Sequence, residues 1–120
     1  MASILVQVTT GPENPTKAAL AFLLARTALS EGHDVSVFLG GDGVQLIRSE
    51  TLDSLNGVGT GALREHFDGI VDGGGKFYLS KMSSGARAVG DSEIEGKPAE
   101  MVTPNQLIQL TLAHDRVLFY

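Results

Sequence analysis

The chain contains no cysteine, and this absence removes several kinds of chemistry at once. Disulfides, thiolate nucleophiles, persulfide carriers and cysteine-ligated metal sites all need the sulfur atom of that residue. The three histidines, His33, His66 and His114, show no His-x-x-x-His or His-x-His spacing that would indicate a zinc site. The sequence therefore predicts no metal site, and we expect no cofactor.

Clustered positive charge and long apolar runs are also missing. The chain carries 9 Lys and Arg against 14 Asp and Glu, a net charge of -5, and its basic residues are scattered. Nucleic-acid grooves concentrate Lys and Arg, so no nucleic-acid partner is predicted. The longest apolar run, residues 18–25, is too short to cross a membrane. Because no basic segment precedes the first apolar run, no signal peptide is indicated, and we expect a soluble cytoplasmic protein.

Strand and helix patterns alternate along the chain, whose 120 residues suit one domain. Short apolar runs predict five strands, at residues 4–8, 35–39, 77–79, 99–102 and 116–120. Helical patterns lie between them, at residues 15–31, 44–48, 60–70, 81–90 and 104–113, whereas residues 49–59 are predicted as a loop or irregular helical turn. This order predicts a three-layer α/β fold, with a five-stranded parallel sheet and helices on both faces, as a single domain over residues 1–120.

Helix starts are marked by capping residues. Asn14 precedes Pro15, a typical N-cap followed by proline at the first helical position. Thr103 and Gln106 have the spacing of a capping box, and Thr60 is predicted to cap the helix before the glycine run. On that helix His66 is interpreted as a solvated face residue rather than a catalytic base, because no partner stands at fixed spacing.

The first helix is apolar on nearly all sides between residues 18 and 25. One sheet covers only one side of a helix, so we expect a second copy of the chain to cover the other. The alternative is that a loop of the same chain lies there. In the last helix, Leu107, Ile108, Leu110 and Leu112 are predicted to face mainly inward.

The segment Gly73-Gly74-Gly75-Lys76-Phe77-Tyr78-Leu79-Ser80 joins a glycine break to a strand and then to a helix start. Ligands in open α/β sheets bind beyond the carboxyl ends of the strands, which is where Ser80 falls. The turn at residues 40–43 ends another strand but lacks the spacing of a phosphate loop. The candidate ligand pocket at this edge comprises Thr10, Gly40, Gly41, Asp42, Ser80, Met82, Ser83 and Ser84; no catalytic residue is assigned.

The glycine break, the strand ending in Ser80-Lys81-Met82-Ser83, the opening apolar strand with its Ala/Leu helix, and the closing Met101-Val102-Thr103 to Asp115-Arg116-Val117-Leu118 together resemble the DsrE/DsrF-like sulfur-relay family. The resemblance covers nearly the whole chain. It implies a five-stranded parallel three-layer fold and a homotrimer or hexamer. Catalytic members carry a cysteine in a Cys-x-x-Ser setting at the end of the third strand. Here Ser80 and Ser83 stand at those positions, so sulfur transfer is not expected.

Ser80 then has three interpretations: a helix cap, part of a site for a small anion or polar ligand, or a nucleophile. We expect a non-catalytic oligomeric DsrE-like module that binds a small ligand or a protein partner. The alternative is a hydrolase or transferase that uses Ser80 or a histidine at a subunit interface. Flavodoxin-like nucleotide binding is a third, because the predicted sheet is similar, but no Ser- and Thr-rich phosphate loop follows the first strand.

Overall fold

A computed structural model describes residues 1–120. Its strands and helices, in chain order, are β1 (Ser3–Val8), α1 (Pro15–Ser30), β2 (Asp34–Leu39), a 3-10 helix (Gly41–Ile47), α2 (Ser49–Ser54), β3 (Asn56–Gly57), β4 (Gly61–Ala62), α3 (Leu63–Asp72), β5 (Lys76–Ser80), α4 (Lys81–Ala86), α5 (Asp91–Ile94), β6 (Ala99–Val102), α6 (Pro104–Ala113) and β7 (Arg116–Phe119).

Five strands form one parallel sheet in the order β6-β5-β2-β1-β7. Successive residues of a strand face opposite sides, so the sheet has two apolar faces. One face contributes Val6, Val37 and Phe77 to the main core, where α1 and α3 cover it. The other contributes Leu5 and Phe38 to a smaller core under α6. The predicted three-layer α/β architecture is confirmed.

Two predicted helix starts are confirmed at the level of single hydrogen bonds. The Asn14 side chain accepts a bond of 3.2 Å from the Lys17 N–H at the start of α1. At the start of α6, Gln106 N–H donates to Thr103 Oγ1 over 3.3 Å, and Thr103 N–H donates to Gln106 Oε1 over 2.8 Å. In both caps, a side-chain oxygen accepts a hydrogen bond from an N–H group of the first helical turn that has no partner within the helix.

The segment between the 3-10 helix and α3 differs from the prediction. Residues 49–59, expected as a loop or irregular turn, form α2 and the first strand of a small antiparallel hairpin, β3 and β4. Thr60 does not cap α3, which begins after Ala62. Its hydroxyl donates instead to the carbonyl of Thr16 over 3.0 Å and so fastens the hairpin to α1. On α3, Arg64 and Asp68 form an ion pair of 3.6 Å at i,i+4 spacing.

The two apolar helices differ in how far the chain itself covers them, and the second copy expected over α1 stays a prediction. Helix α1 packs on β1 and β2 along one side, and on α3 and β3 along another, so the chain itself supplies much of its cover. Helix α6 has no buried residue. Leu107 and Leu110 are half-buried, but Ile108 is 60% and Leu112 80% exposed, so the expectation that all four face inward is wrong for these two.

No helix combines the length and hydropathy needed to span a membrane.

Candidate functional site

The predicted site lies where three neighbouring strands end. Parallel strands bring their carboxyl ends to one edge of the sheet, and β1, β2 and β5 end there at Val8, Leu39 and Ser80. The turns that follow are in direct contact. A Cβ atom added to Gly11 would lie 2.4 Å from the carbonyl oxygen of Asp42. The structure therefore brings the predicted segments together, and only glycine fits at their contact.

Ser80 is the N-cap of α4, as the sequence predicts. Its Oγ accepts a hydrogen bond of 3.1 Å from the N–H of Ser83. Ser83 in turn accepts a bond of 2.9 Å at its own Oγ from the N–H of Gly41, in the turn after β2. The two serines thus connect the start of α4 to the neighbouring turn. No histidine or carboxylate forms a hydrogen bond with Ser80.

Asp42 is held by an ion pair that no local sequence pattern predicts. Arg87 Nε donates to the Asp42 carboxylate over 3.0 Å, while Arg87 Nη1 donates to the carbonyl of Ser83 over 3.2 Å. The two paired residues stand 45 positions apart, so no local pattern signals the contact. Arg87 therefore neutralises the carboxylate of the predicted pocket and joins it to α4.

The remaining predicted pocket residues differ in access. Thr10 and Gly40 are buried, whereas Met82 is 70% exposed. Ser84 is 1% exposed, and its hydroxyl has no hydrogen-bond partner in the protein. Of the predicted pocket, only Ser80, Ser83 and the turn after β2 are thus joined by hydrogen bonds into one edge, and Met82 lies beside it.

The best-defined clefts of the molecule are not lined by these residues. Two of them adjoin Lys97, whose ammonium group donates to the carbonyls of Ile47 at 2.9 Å and Glu93 at 2.7 Å and to Ser49 Oγ at 3.1 Å. Burial lowers the pKa of Lys97 below its ordinary value of 10.5, while the Glu93 carboxylate acts in the opposite direction. With three acceptors already on its ammonium group, Lys97 has a structural role.

His66 is not the solvated residue predicted from the sequence. It is 5% exposed, and its Nε2 lies 2.7 Å from the carbonyl oxygen of Thr60. A carbonyl only accepts, so Nε2 carries the proton and Nδ1 accepts from the Arg26 guanidinium at 3.3 Å. His66 therefore links α3, the hairpin and α1. The other histidines lie at the amino edge of the sheet, where His33 accepts from the Ala2 N–H at 3.0 Å.

No three His, Asp or Glu side chains gather closely enough to hold a metal ion.

At the amino edge, the N–H of Ser3 donates to the Asp115 carboxylate over 2.9 Å. This bond holds the pKa of Asp115 below its ordinary value of 3.8.

The sequence model of the DsrE/DsrF-like family matches residues 2–120 of the chain. The chain belongs to the DsrE/DsrF-like family. No curated protein matches the chain. The chain has the five-stranded parallel sheet that the resemblance implied, and it contains no cysteine.

Two solved structures share the fold. The YchN protein from E. coli is 20% identical with a TM-score of 0.81, and the match covers 100% of both chains. A conserved protein of unknown function from Bacteroides thetaiotaomicron, BT1422, is 12% identical with a TM-score of 0.71, covering 99% of this chain and 95% of its own. At these identities the likeness establishes the three-layer architecture alone.

Proposed function

We propose that the chain is a cytoplasmic, oligomeric DsrE-like module whose carboxyl edge binds a protein partner or a small ligand and does not catalyse a reaction. The observation that carries this proposal is the hydrogen bond from the Ser83 N–H to Ser80 Oγ. Ser80 takes the position at which the family's sulfur carriers have cysteine, and its oxygen serves as a helix cap.

Two requirements for catalysis at this edge are missing. A serine nucleophile needs an adjacent base, and Ser80 forms no hydrogen bond with a histidine or carboxylate. Sulfur carriage needs a thiol, and the chain has none. Asp42, the nearest acidic side chain of the turn after β2, is paired with Arg87.

The shape of the edge favours a protein partner over a small ligand. Small-molecule sites are concave, and the best-defined clefts are lined by other residues. Met82 projects here with 70% of its surface exposed, and methionine adapts to varied partner surfaces. A small anion remains the second occupant of this proposal.

The oligomer is best located on the face of the sheet that α6 alone covers. Ile108 and Leu112 of α6 are 60% and 80% exposed, and Phe119 of the edge strand β7 is 66% exposed. Apolar surface concentrated on one side of a small domain favours association. A second copy of this chain is the proposed occupant, which agrees with the trimer or hexamer that the family resemblance implies.

The rival function, a hydrolase or transferase that uses Ser80, would need a base from another subunit, because none of the three histidines contacts Ser80 in one chain. A serine-reactive fluorophosphonate probe distinguishes the two. The folded protein is incubated with the probe, and modified peptides are mapped by mass spectrometry. The binding module predicts no adduct on Ser80, with Ser80→Ala as the matched control; an adduct on Ser80 would contradict the proposal.

A further inference from the structure

The amino edge of the sheet, opposite the carboxyl edge, contains a polar cleft of about 360 Å³. Its lining includes Ser36, Lys76, Tyr78 and His114, which the proposed function does not use. The volume lies within the range of small-molecule sites, roughly 300–1,000 Å³. The side chains combine a hydroxyl, an imidazole and an ammonium group, which can serve as nucleophile, base and oxyanion stabiliser in acyl transfer.

Ser36 and His114 are in hydrogen-bond contact in this cleft. His114 Nε2 lies 3.2 Å from Ser36 Oγ, and His114 Nδ1 lies 2.6 Å from the carbonyl oxygen of Leu110. Because a carbonyl only accepts, Nδ1 carries the ring proton of the neutral imidazole. The lone pair of Nε2 then faces the serine hydroxyl. This is the tautomer and the distance at which an imidazole acts as the base for a serine nucleophile.

The fold places the two residues for separate reasons. Ser36 lies in β2 between the buried Val35 and Val37, so its side chain faces the α6 side of the sheet. His114 follows the last residue of α6, where helix carbonyls lack an intrahelical partner. Capping the Leu110 carbonyl requires only Nδ1. The contact of Nε2 with Ser36, and the open cleft beside it, are additional to that structural role.

Lys76 lines the same cleft as Ser36 and carries a positive charge. It is the register partner of Ser36 on the neighbouring strand β5, at the usual strand spacing of about 4.8 Å. Its ammonium group forms no hydrogen bond or ion pair within the chain, in contrast to Lys97. A cation beside the nucleophile stabilises the oxyanion that develops when a carbonyl is attacked.

We propose that Ser36 and His114 form a nucleophile and base pair that hydrolyses small carboxylic esters. Ser36 Oγ attacks the ester carbonyl carbon, and its proton moves to His114 Nε2. The bond from the carbonyl carbon to the alcohol oxygen breaks, and His114 returns the proton to the departing alkoxide, which leaves an acyl group on Ser36. Water then attacks this acyl group with His114 as its base. The acyl bond to Ser36 breaks, the serine regains a proton, and the carboxylic acid departs.

The fluorophosphonate experiment also tests this proposal, because the same peptide mapping shows whether the probe has reacted with Ser36. We expect one probe molecule on Ser36 of the folded protein and none on Ser36→Ala. His114→Gln should lower the labelling rate by at least about 100-fold, the usual contribution of a general base. Circular dichroism checks that each variant is folded.

A folded protein with no adduct on Ser36 would overturn the pair and leave the carboxyl-edge proposal intact. An adduct whose rate is the same in His114→Gln would also overturn it. Labelling of Ser80 without Ser36 would overturn both proposals.

Discussion

Gly43→Ala should destabilise the carboxyl edge more than its single added carbon suggests. Gly43 lies in the 3-10 helix after β2, where a Cβ atom would stand 2.3 Å from the carbonyl oxygen of Val8 and 3.4 Å from the Cα of Thr9. Cβ atoms essentially never come closer than 3.0 Å to such atoms, so backbone must move by at least about 0.7 Å. Val8 cannot yield easily, since it ends β1, a strand paired on both sides, and is fully buried.

The cost follows from this lack of room. Overpacking of a closely packed site typically costs about 1–3 kcal/mol, and the contact here is with backbone rather than a flexible side chain. We expect a loss near the upper end, about 2–3 kcal/mol. For a domain of this size that lowers the melting temperature by roughly 10 °C. The shift should also disturb the Gly41 N–H bond to Ser83, because Gly41 and Gly43 belong to the same turn.

Urea denaturation of both forms, followed by circular dichroism, measures the difference. Gly85→Ala is the matched control: it lies in α4, and an added Cβ would meet nothing within 4 Å. That variant should be unchanged or more stable by up to about 1 kcal/mol, since alanine is the better helix former. Equal stability of Gly43→Ala and the unmodified protein would refute the close packing of the turn against β1.

Three further outcomes are expected. Leu112→Glu should dissociate the oligomer in light scattering, whereas Val58→Glu, similarly exposed but near the hairpin, should leave it intact. A monomeric unmodified protein would contradict the assembly. Asp115→Asn should lose stability relative to the unmodified protein above pH 3.8, with the difference shrinking as pH falls through the lowered pKa of Asp115, and a difference independent of pH would exclude this cause. Ser83→Ala should destabilise by about 1 kcal/mol in urea denaturation, since it leaves the Gly41 N–H without its partner; an unchanged midpoint would mean that this bond contributes nothing.

The features that the sequence predicts correctly are those set by neighbours in the chain. The Asn14 cap and the Thr103 box depend on residues three positions away, and Ser80 bonds to Ser83 at the same spacing. The strands are recognised because short apolar runs buried on both sides have a local signature. Because strands and helices alternate along the chain, general rules of connection then predict a parallel sheet with a layer of helices on each face.

The features that the sequence misses are set by distant contacts. His66 is buried beside Arg26 of α1, which is 40 positions away in the chain. The spacing of residues along one helix gives no sign of this contact. Ser36 and His114 are 78 positions apart in the chain. Their contact depends on which face of the sheet Ser36 takes in β2 and on where α6 ends. The apolar sequence of α6 indicates a buried helix, but one sheet covers only one side of it.

The exchange Ser80→Cys tests the central claim most directly, that this serine occupies the family's cysteine position as a cap. The unmodified protein and the variant are incubated with a sulfane-sulfur donor, and intact mass is measured before and after reduction. A thiol at a helix N-terminus, with Lys81 adjacent, favours the reactive thiolate. We expect one added, reductant-sensitive sulfur atom on Ser80→Cys and none on the unmodified protein. A folded Ser80→Cys with no thiol reactivity and no adduct would contradict the claim.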